Sequence, residues 1–409
     1  MKVIKTIVDY QAKILVSLGV VLFLASCSVF KNSNPAKSEN SPLSSNILLS
    51  QNNTEVAQNI AQTTIVEGLE RPWGMAWLPD SSILITERPG RLRIVRNGQL
   101  DLQPISGVPE VFAVNHGGLL DIALHPDFEQ NRLVYFTYSQ GSNQANHTRV
   151  ARATFDGTSL QNWSDIFAVN LKKPEGQHFG SRIVWLADKT MLVAFGDGGN
   201  PPLQLNGDLI RKQAQNLDSH LGAVVRINDD GSIPQDNPVF DSANVAPGIW
   251  SYGHRNIQGM TINPLTNRVW STEHGSKGGD ELNLMQPGQN YGWPEVSYSD
   301  EYTGGRVAEV SSRPDIPEPK VVWTPSIAPS GLAVYYSDRF SQWQGDLFAG
   351  GLVSRDVRRL DLDQAGNIVK EESIPIGQRV RDVRQSPDGG LYVLTDEQNG
   401  QLIRIDPKP

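Results

Sequence analysis

Three short stretches of this 409-residue chain gather side chains that could do chemistry: "GQHFGSR" at 176–182, "YGHRNIQGM" at 252–260 and "RVRDV" at 379–383. Each sets His, Arg, Asn or Gln directly against an apolar, strand-like run. Polar groups buried at such a position are costly unless they find partners, so they are either satisfied internally or kept for a ligand. Imidazole titrates near neutral pH and can take or give a proton. Arginine grips carboxylates through paired hydrogen bonds. A fourth stretch, "STEHGSKGGDELNLMQPGQNYGWPEV" at 271–296, places Gly275, Gly278 and Gly279 just before Asp280 and Glu281, with Asp300 and Glu301 beyond. Accessible backbone carbonyls and hard carboxylate oxygens suit calcium, so this stretch is expected to be a calcium loop.

The elements that must position these residues form a repeat. Copies begin at "RPWGMAWLPDSSILITE" (71), "HGGLLDIALHPDFEQNRLVYFTYS" (116), "HFGSRIVWLADKTMLVAFGDGG" (178), "NIQGMTINPLTNRVWSTEHG" (256), "PSGLAVYYSDRFSQWQGDLFAGG" (329) and "RVRDVRQSPDGGLYVLTDEQNG" (379). Each runs from a polar start through an alternating strand and a Gly, Asp or Asn turn into further β-rich strands. No long helical pattern appears. Six copies of roughly 58 residues predict an all-β fold, a six-bladed β-propeller of four-stranded antiparallel blades. "TTIVEGL" at 63–69 is expected to add a strand to the last blade and close the ring.

In a propeller every innermost strand enters from the same face. The residues just before these strands therefore converge: Arg71 and Trp73, His116, Gln177 and His178, Arg255, Asn256 and Gln258, Ser330, Arg379 and Arg381. This cationic ring predicts a small ligand with several carboxylates on the axis. A single arginine there would read as a salt bridge between blades; four in register argue for the ligand. "GDGGN" at 196–200 and "NDDGS" at 228–232 read as tight turns, His125 as a turn residue, and His147 and His220 as surface or loop histidines.

Composition narrows the classes. Hydrophobic residues at 38% and charged residues at 20% suit a soluble globular domain, and a formal charge of −8 argues against a general nucleic-acid partner. G-x-G-x-x-G, Walker A, H-E-x-x-H and G-x-S-x-G motifs are absent. Residues 1–26 read as a secretory leader, with three lysines ahead of the apolar run 14–25, too short to span a membrane. The run ends "LASC", and Cys27 is the sole cysteine. That pattern resembles a bacterial lipobox, in which the cysteine is lipidated and becomes residue one. Residues 27–62, rich in Ser, Asn and Gln, are expected to be a disordered tether, leaving 63–409 as the propeller. The expectation is an exported lipoprotein on the periplasmic side of a bacterial membrane, the outer one, touching that membrane through its lipid alone.

Taken together, "GLERPWGMAWLPD", "GGLLDIALHPDF", "INDDGSIPQDNP", "YGHRNIQGM", "DELNL" with "NYGWPEV", and "RVRDV" with "LYVLTD" resemble the soluble pyrroloquinoline quinone (PQQ)-dependent sugar dehydrogenases, above all the bacterial aldose sugar dehydrogenases. The resemblance covers residues 63–408. It implies a six-bladed propeller holding PQQ, a planar tricarboxylate quinone, and Ca²⁺ at the axial mouth, and oxidation of an aldose at C1 to a lactone by hydride transfer.

It further implies His178 as catalytic base and Arg255 beside the reacting quinone oxygen. Asn256 and Gln258 would contact the cofactor, and Arg379 and Arg381 would hold its carboxylates. Gly275 and Ser276 would bind calcium through their carbonyls, with Glu281 and Tyr291 at a second calcium. The chain departs from the family's glucose-oxidising members at His116 and Gln177, which bear on substrate choice. It departs again at Val353, where a cofactor-binding lysine is expected, with Arg355 nearby. The electron acceptor is not implied. Two other readings compete: a non-catalytic propeller binding a protein or glycan, and a calcium-dependent lactonase, which the cationic axis disfavours.

Overall fold

Period-2 alternation punctuated by Gly, Asp and Asn turns produces strands almost throughout. The computed structural model describes residues 48–50 and 54–408, and its one α-helix there is the single turn Phe128–Asn131. The leader and Cys27 lie outside the described residues, as does most of the expected tether.

Six sheets follow one another, each running from an inner to an outer strand. Their inner strands are Pro72–Trp77, Leu119–Leu124, Ile183–Trp185, Ile257–Ile262, Pro329–Val334 and Val380–Gln385. The last sheet is completed by Ile60–Leu69, which pairs antiparallel with Gly400–Pro407 and closes the ring. The expected six-bladed propeller of four-stranded antiparallel blades is therefore the fold. Among the described residues the six largest apolar clusters lie one between each pair of neighbouring blades.

Part of the expected tether is structured. Leu48–Ser50 and Glu55–Val56 each add a parallel fifth strand, outside Val321–Trp323 of the fourth blade and Ile368–Pro375 of the fifth. Exposed sheet edges offer unpaired donors and acceptors. Two short pieces of this segment, of two and three residues, satisfy them once the blades exist.

Two features of the inner strands set up the mouth. In blades one, two, four, five and six the pairing of inner with second strand slips by a bulge near its start. Bulges bend a strand and re-aim a side chain; the residues at these slips include Trp73, Leu120, Gln258, Ser330 and Arg381. One step deeper, the axis is plugged by Asp121, Arg182, Asp382 and Arg384. Arg182 reaches both aspartates (3.0 and 3.1 Å), and Arg384 does the same (2.9 and 3.0 Å). Gly74 faces this plug because a Cβ there would sit 2.8 Å from Asp121 Oδ1.

Candidate active site

Above the plug lies a cavity of about 760 Å³. Of the residues expected at the mouth, Arg71, Trp73, His116, Gln177, His178, Arg255, Asn256, Gln258, Arg379 and Arg381 all line it. Ser330 does not; it is fully buried, its hydroxyl donating to the Val380 carbonyl (2.7 Å).

His178 sits in a left-handed backbone conformation (φ 41°), rare outside glycine, where the chain turns into the third blade. Its Nδ1 is 2.6 Å from Asp197 Oδ1. Asp197 is fully buried and also accepts from the indole of Trp293 (2.8 Å) and the amide of Gly199 (3.1 Å). Burial lowers the His178 pKa, the neighbouring Arg255 charge lowers it further, and Asp197 opposes them. The ring is thus neutral, with Nδ1–H donated to the carboxylate and the lone pair on Nε2. His116 stacks against it, rings 5.9 Å apart and 13° from parallel. Burial, then the His178 and Arg381 charges, push His116 down to about 3, so it too is neutral.

Arg255 lies 5.3 Å over the Trp293 ring and donates to Asn200 Oδ1 (2.6 Å) and the His274 carbonyl (3.1 Å). Asn256 Oδ1 accepts from the Gly180 amide (3.1 Å). Gln258 Oε1 accepts from Arg381 (3.0 Å), and Arg381 also donates to Asp396 (2.8 Å). Burial alone would raise the Asp396 pKa, but Arg381 draws it down to about 2. Arg379 reaches the same carboxylate at 3.4 Å and is far more open, 38% exposed against 8% for Arg381. Among the described residues the mouth holds five arginines and one aspartate. The buried Nε groups of Arg88, Arg255 and Arg381 have no hydrogen-bond partner among the described residues. Buried donors without partners are rare and costly, so this donor set suits a bound polyanion.

The sequence reading missed much of the wall. Arg88, Asn200, His274, Leu352 and Asp396 line the cavity, and each follows the second strand of a blade. Antiparallel pairing returns that strand to the face where the inner strand began, so these loops share the mouth. Asp197 belongs to the same set; "GDGGN" is a turn, but one that carries the histidine's partner. Tyr302 comes from the long 286–320 connection, brought up by the bridge between Asp300 and Lys277. Val353 is 59% exposed, and neither it nor Arg355 lines the cavity; Leu352 occupies that wall. His147 and His220, expected at the surface or in loops, are buried and bonded to the carbonyls of Val169 (3.0 Å) and Pro247 (2.9 Å). His254 is fully buried too, bonded to Ser251 (2.9 Å) and near Glu273 (3.3 Å), away from the mouth.

Of the expected calcium residues, Gly275, Glu281 and Tyr291 border one void of about 10 Å³, together with Arg255 and Glu273. That is room for a single water or ion. The amide of Gly275 is tied back to Asp280 (2.9 Å) and that of Ser276 to Ser299 (3.0 Å), while the buried Ser276 hydroxyl has no partner. Asn283 bridges Glu273 and Glu281 (3.1 Å to each). Burial, then the Glu273 charge, push the Glu281 carboxyl well above the usual range. Two carboxylates crowded out of water are the environment a hard cation relieves. Among the described residues no group of three or more His, Cys, Asp or Glu forms a metal cluster, so carbonyls would have to supply the remaining oxygens.

Comparison with known proteins bears on this arrangement. The family model described as glucose / sorbosone dehydrogenase matches residues 69–404. An uncharacterized protein of Synechocystis sp. is 55% identical over 98% of this chain and 100% of its own. The crystal structure of the soluble aldose sugar dehydrogenase from Escherichia coli, in its apo form, superposes with a TM-score of 0.79 at 39% identity, covering 85% of this chain and 99% of that one. The PQQ-bound aldose sugar dehydrogenase of Streptomyces coelicolor superposes with a TM-score of 0.68 at 25% identity, over 86% and 100%.

Proposed function

The chain belongs to the glucose/sorbosone dehydrogenase family, and from that premise we propose that it is a PQQ- and calcium-dependent aldose dehydrogenase, oxidising the C1 hydroxyl of an aldose to a lactone. The observation that carries the reading is the pairing of His178 with Asp197 at a mouth lined by five arginines. A neutral imidazole with its other nitrogen anchored is a general base, and the arginine set matches a polycarboxylate cofactor.

When bound, PQQ supplies the two-electron acceptor that oxidation of a hemiacetal requires. The chain's own residues do the rest. His178 Nε2 takes the proton of the C1 hydroxyl while Asp197 holds Nδ1–H and steadies the imidazolium that forms. Arg255, fixed by Asn200 and the stack on Trp293, presents positive charge where negative charge develops. Arg379, Arg381, Asn256 and Gln258 would hold the cofactor. Gly275 and Ser276 would hold calcium through carbonyls, with Glu281 and Tyr291 at a second ion. His116 and Gln177 stand at the substrate side of His178. The N-terminal sequence supports export and lipid attachment through Cys27 on the periplasmic side of the outer membrane.

The test is dye reduction by the purified chain with a panel of aldoses, with and without added PQQ and Ca²⁺. Reduction that needs both additions is expected, and His178→Ala should bind PQQ while losing about 10²–10⁴-fold in turnover. An unaltered His178→Ala rate, or failure of the wild-type chain to bind PQQ, would sink the reading.

A further inference from the structure

Lys173 is a lysine that packing alone does not explain. It is 2% exposed, and its backbone amide and carbonyl pair reciprocally with Asn146 (2.8 Å each), so the residue is fixed. Its stem runs under the turn carrying Asp197: a Cβ added at Gly198 would meet Lys173 Cδ at 3.2 Å. Its ammonium lies 4.0 Å from the centre of the Phe179 ring, which lines the mouth, and donates one long hydrogen bond, 3.3 Å, to the Glu175 carbonyl. An ammonium has three donors. Leaving them poorly satisfied out of water is expensive, and a methionine or leucine would fill the same space without that cost.

We propose that Lys173 is a positioning residue for the His178 base, a buried positive charge set beneath the turn that carries Asp197 and against Phe179, where it disfavours a second positive charge on the resting imidazole. The role rests on the dehydrogenase reading of His178. Burial draws the Lys173 pKa down to about 7, against the pull of Asp197 and then Glu175, so the ammonium is present at and below neutral pH. The groups acting on His178 are Arg255, Asp197 and Lys173, with His116 stacked on its ring. Lys173 opposes imidazolium formation in the resting site, so the ring stays ready to accept the substrate's proton. Asp197, bonded to Nδ1, fixes the ring proton there. Among the described residues no lysine lines the mouth itself; Lys173 lies behind its wall, against Phe179.

Two measurements test this. The His178 ring titration, followed by nitrogen-15 NMR on the protein without cofactor, should move up by about one pH unit in Lys173→Met. Lys173→Arg, which keeps the charge, should stay near the wild-type midpoint. In the PQQ- and calcium-loaded enzyme the acid limb of kcat/KM should move up by the same amount in Lys173→Met, with PQQ affinity unchanged. An unshifted His178 midpoint in Lys173→Met, with only a lower melting temperature, would overturn the role. Should Lys173→Met not fold, the wild-type spectrum decides: a His178 resonance indifferent to titration of the Lys173 ammonium overturns it equally. A wild-type chain that oxidises no sugar would sink the dehydrogenase reading, yet the NMR arm would still decide what Lys173 does.

Discussion

Nδ1 of His178 lies 2.6 Å from Oδ1 of Asp197, and the two side chains are 3% and 0% exposed. The carboxylate is held from a second side by Trp293, so it has little freedom to follow a ring that rotates. The pair fixes which imidazole nitrogen is basic.

Asp197→Asn should therefore leave PQQ affinity near wild type and lower kcat on the order of 10²-fold or more, because an amide NH₂ turned toward Nδ1 favours the wrong tautomer. Steady-state dye reduction beside a PQQ titration separates the two effects. A variant that loses cofactor affinity instead would make Asp197 a structural residue of the mouth.

Arg381 and Arg379 share Asp396 but not their degree of burial. Arg381→Ala removes a buried partner of both Asp396 and Gln258, a loss of roughly 3 kcal/mol, or about 10²-fold in PQQ affinity. Arg379→Ala, nearer solvent, should cost less. Isothermal titration with PQQ ranks them, and the reverse order would mean that Arg381 serves the fold and Arg379 the ligand.

Asp396 makes the mouth acid-sensitive. Its folded pKa, about 2, lies below the ordinary 3.8, so it contributes stability that is fully present above about pH 4 and lost as pH falls through 2. In the cofactor-free protein Asp396→Asn should be less stable at pH 7 by about 2 kcal/mol. Denaturant melts should show that gap closing toward pH 2.

Chelation should abolish dye reduction and lower the melting temperature, both restored by Ca²⁺, since a ligand bound only to the folded state stabilises it by mass action. Glu281→Gln should blunt the thermal response to Ca²⁺, which differential scanning calorimetry reads directly.

Removal of residues 1–58 should destabilise the propeller relative to removal of 1–47. The longer deletion strips Leu48–Ser50 and Glu55–Val56 from two sheet edges, at about 1 kcal/mol per net hydrogen bond. It also leaves edges open to self-association, which light scattering would detect. Equal melting curves would show that the two added strands are incidental.

The residues opening each inner strand were legible because the repeat marks them: Trp73, His116, His178, Gln258 and Arg381 each stand at a polar-to-apolar boundary. The opposing loops were not. Arg88, Asp197, His274, Leu352 and Asp396 span four residue types, and no local signal distinguishes them from ordinary turns. Strand direction places them together. Lys173 was illegible for another reason: "LKKPEG" reads as a solvated loop, and nothing in it says that one of the two lysines is turned inward.

Local periodicity determined the rest of what the sequence could determine by itself. Six copies of an alternating strand pattern require a ring of sheets, and the arginines ahead of its inner strands make the axis cationic, suited to an anionic ligand. Those are properties of short segments, and short segments carry their own periodicity and charge. Only the tertiary structure decided the partnerships: Gln258 with Arg381, 123 residues away, and Asp396 beneath both Arg379 and Arg381. It also decided the departures from expectation, the outward Val353 and the strands made from the supposed tether. The physical reason is that such contacts form between blades, after the ring closes. Bulges and the close approach of backbones at positions such as Gly74 then set which side chains meet, and neither leaves a signature in any single stretch of the chain.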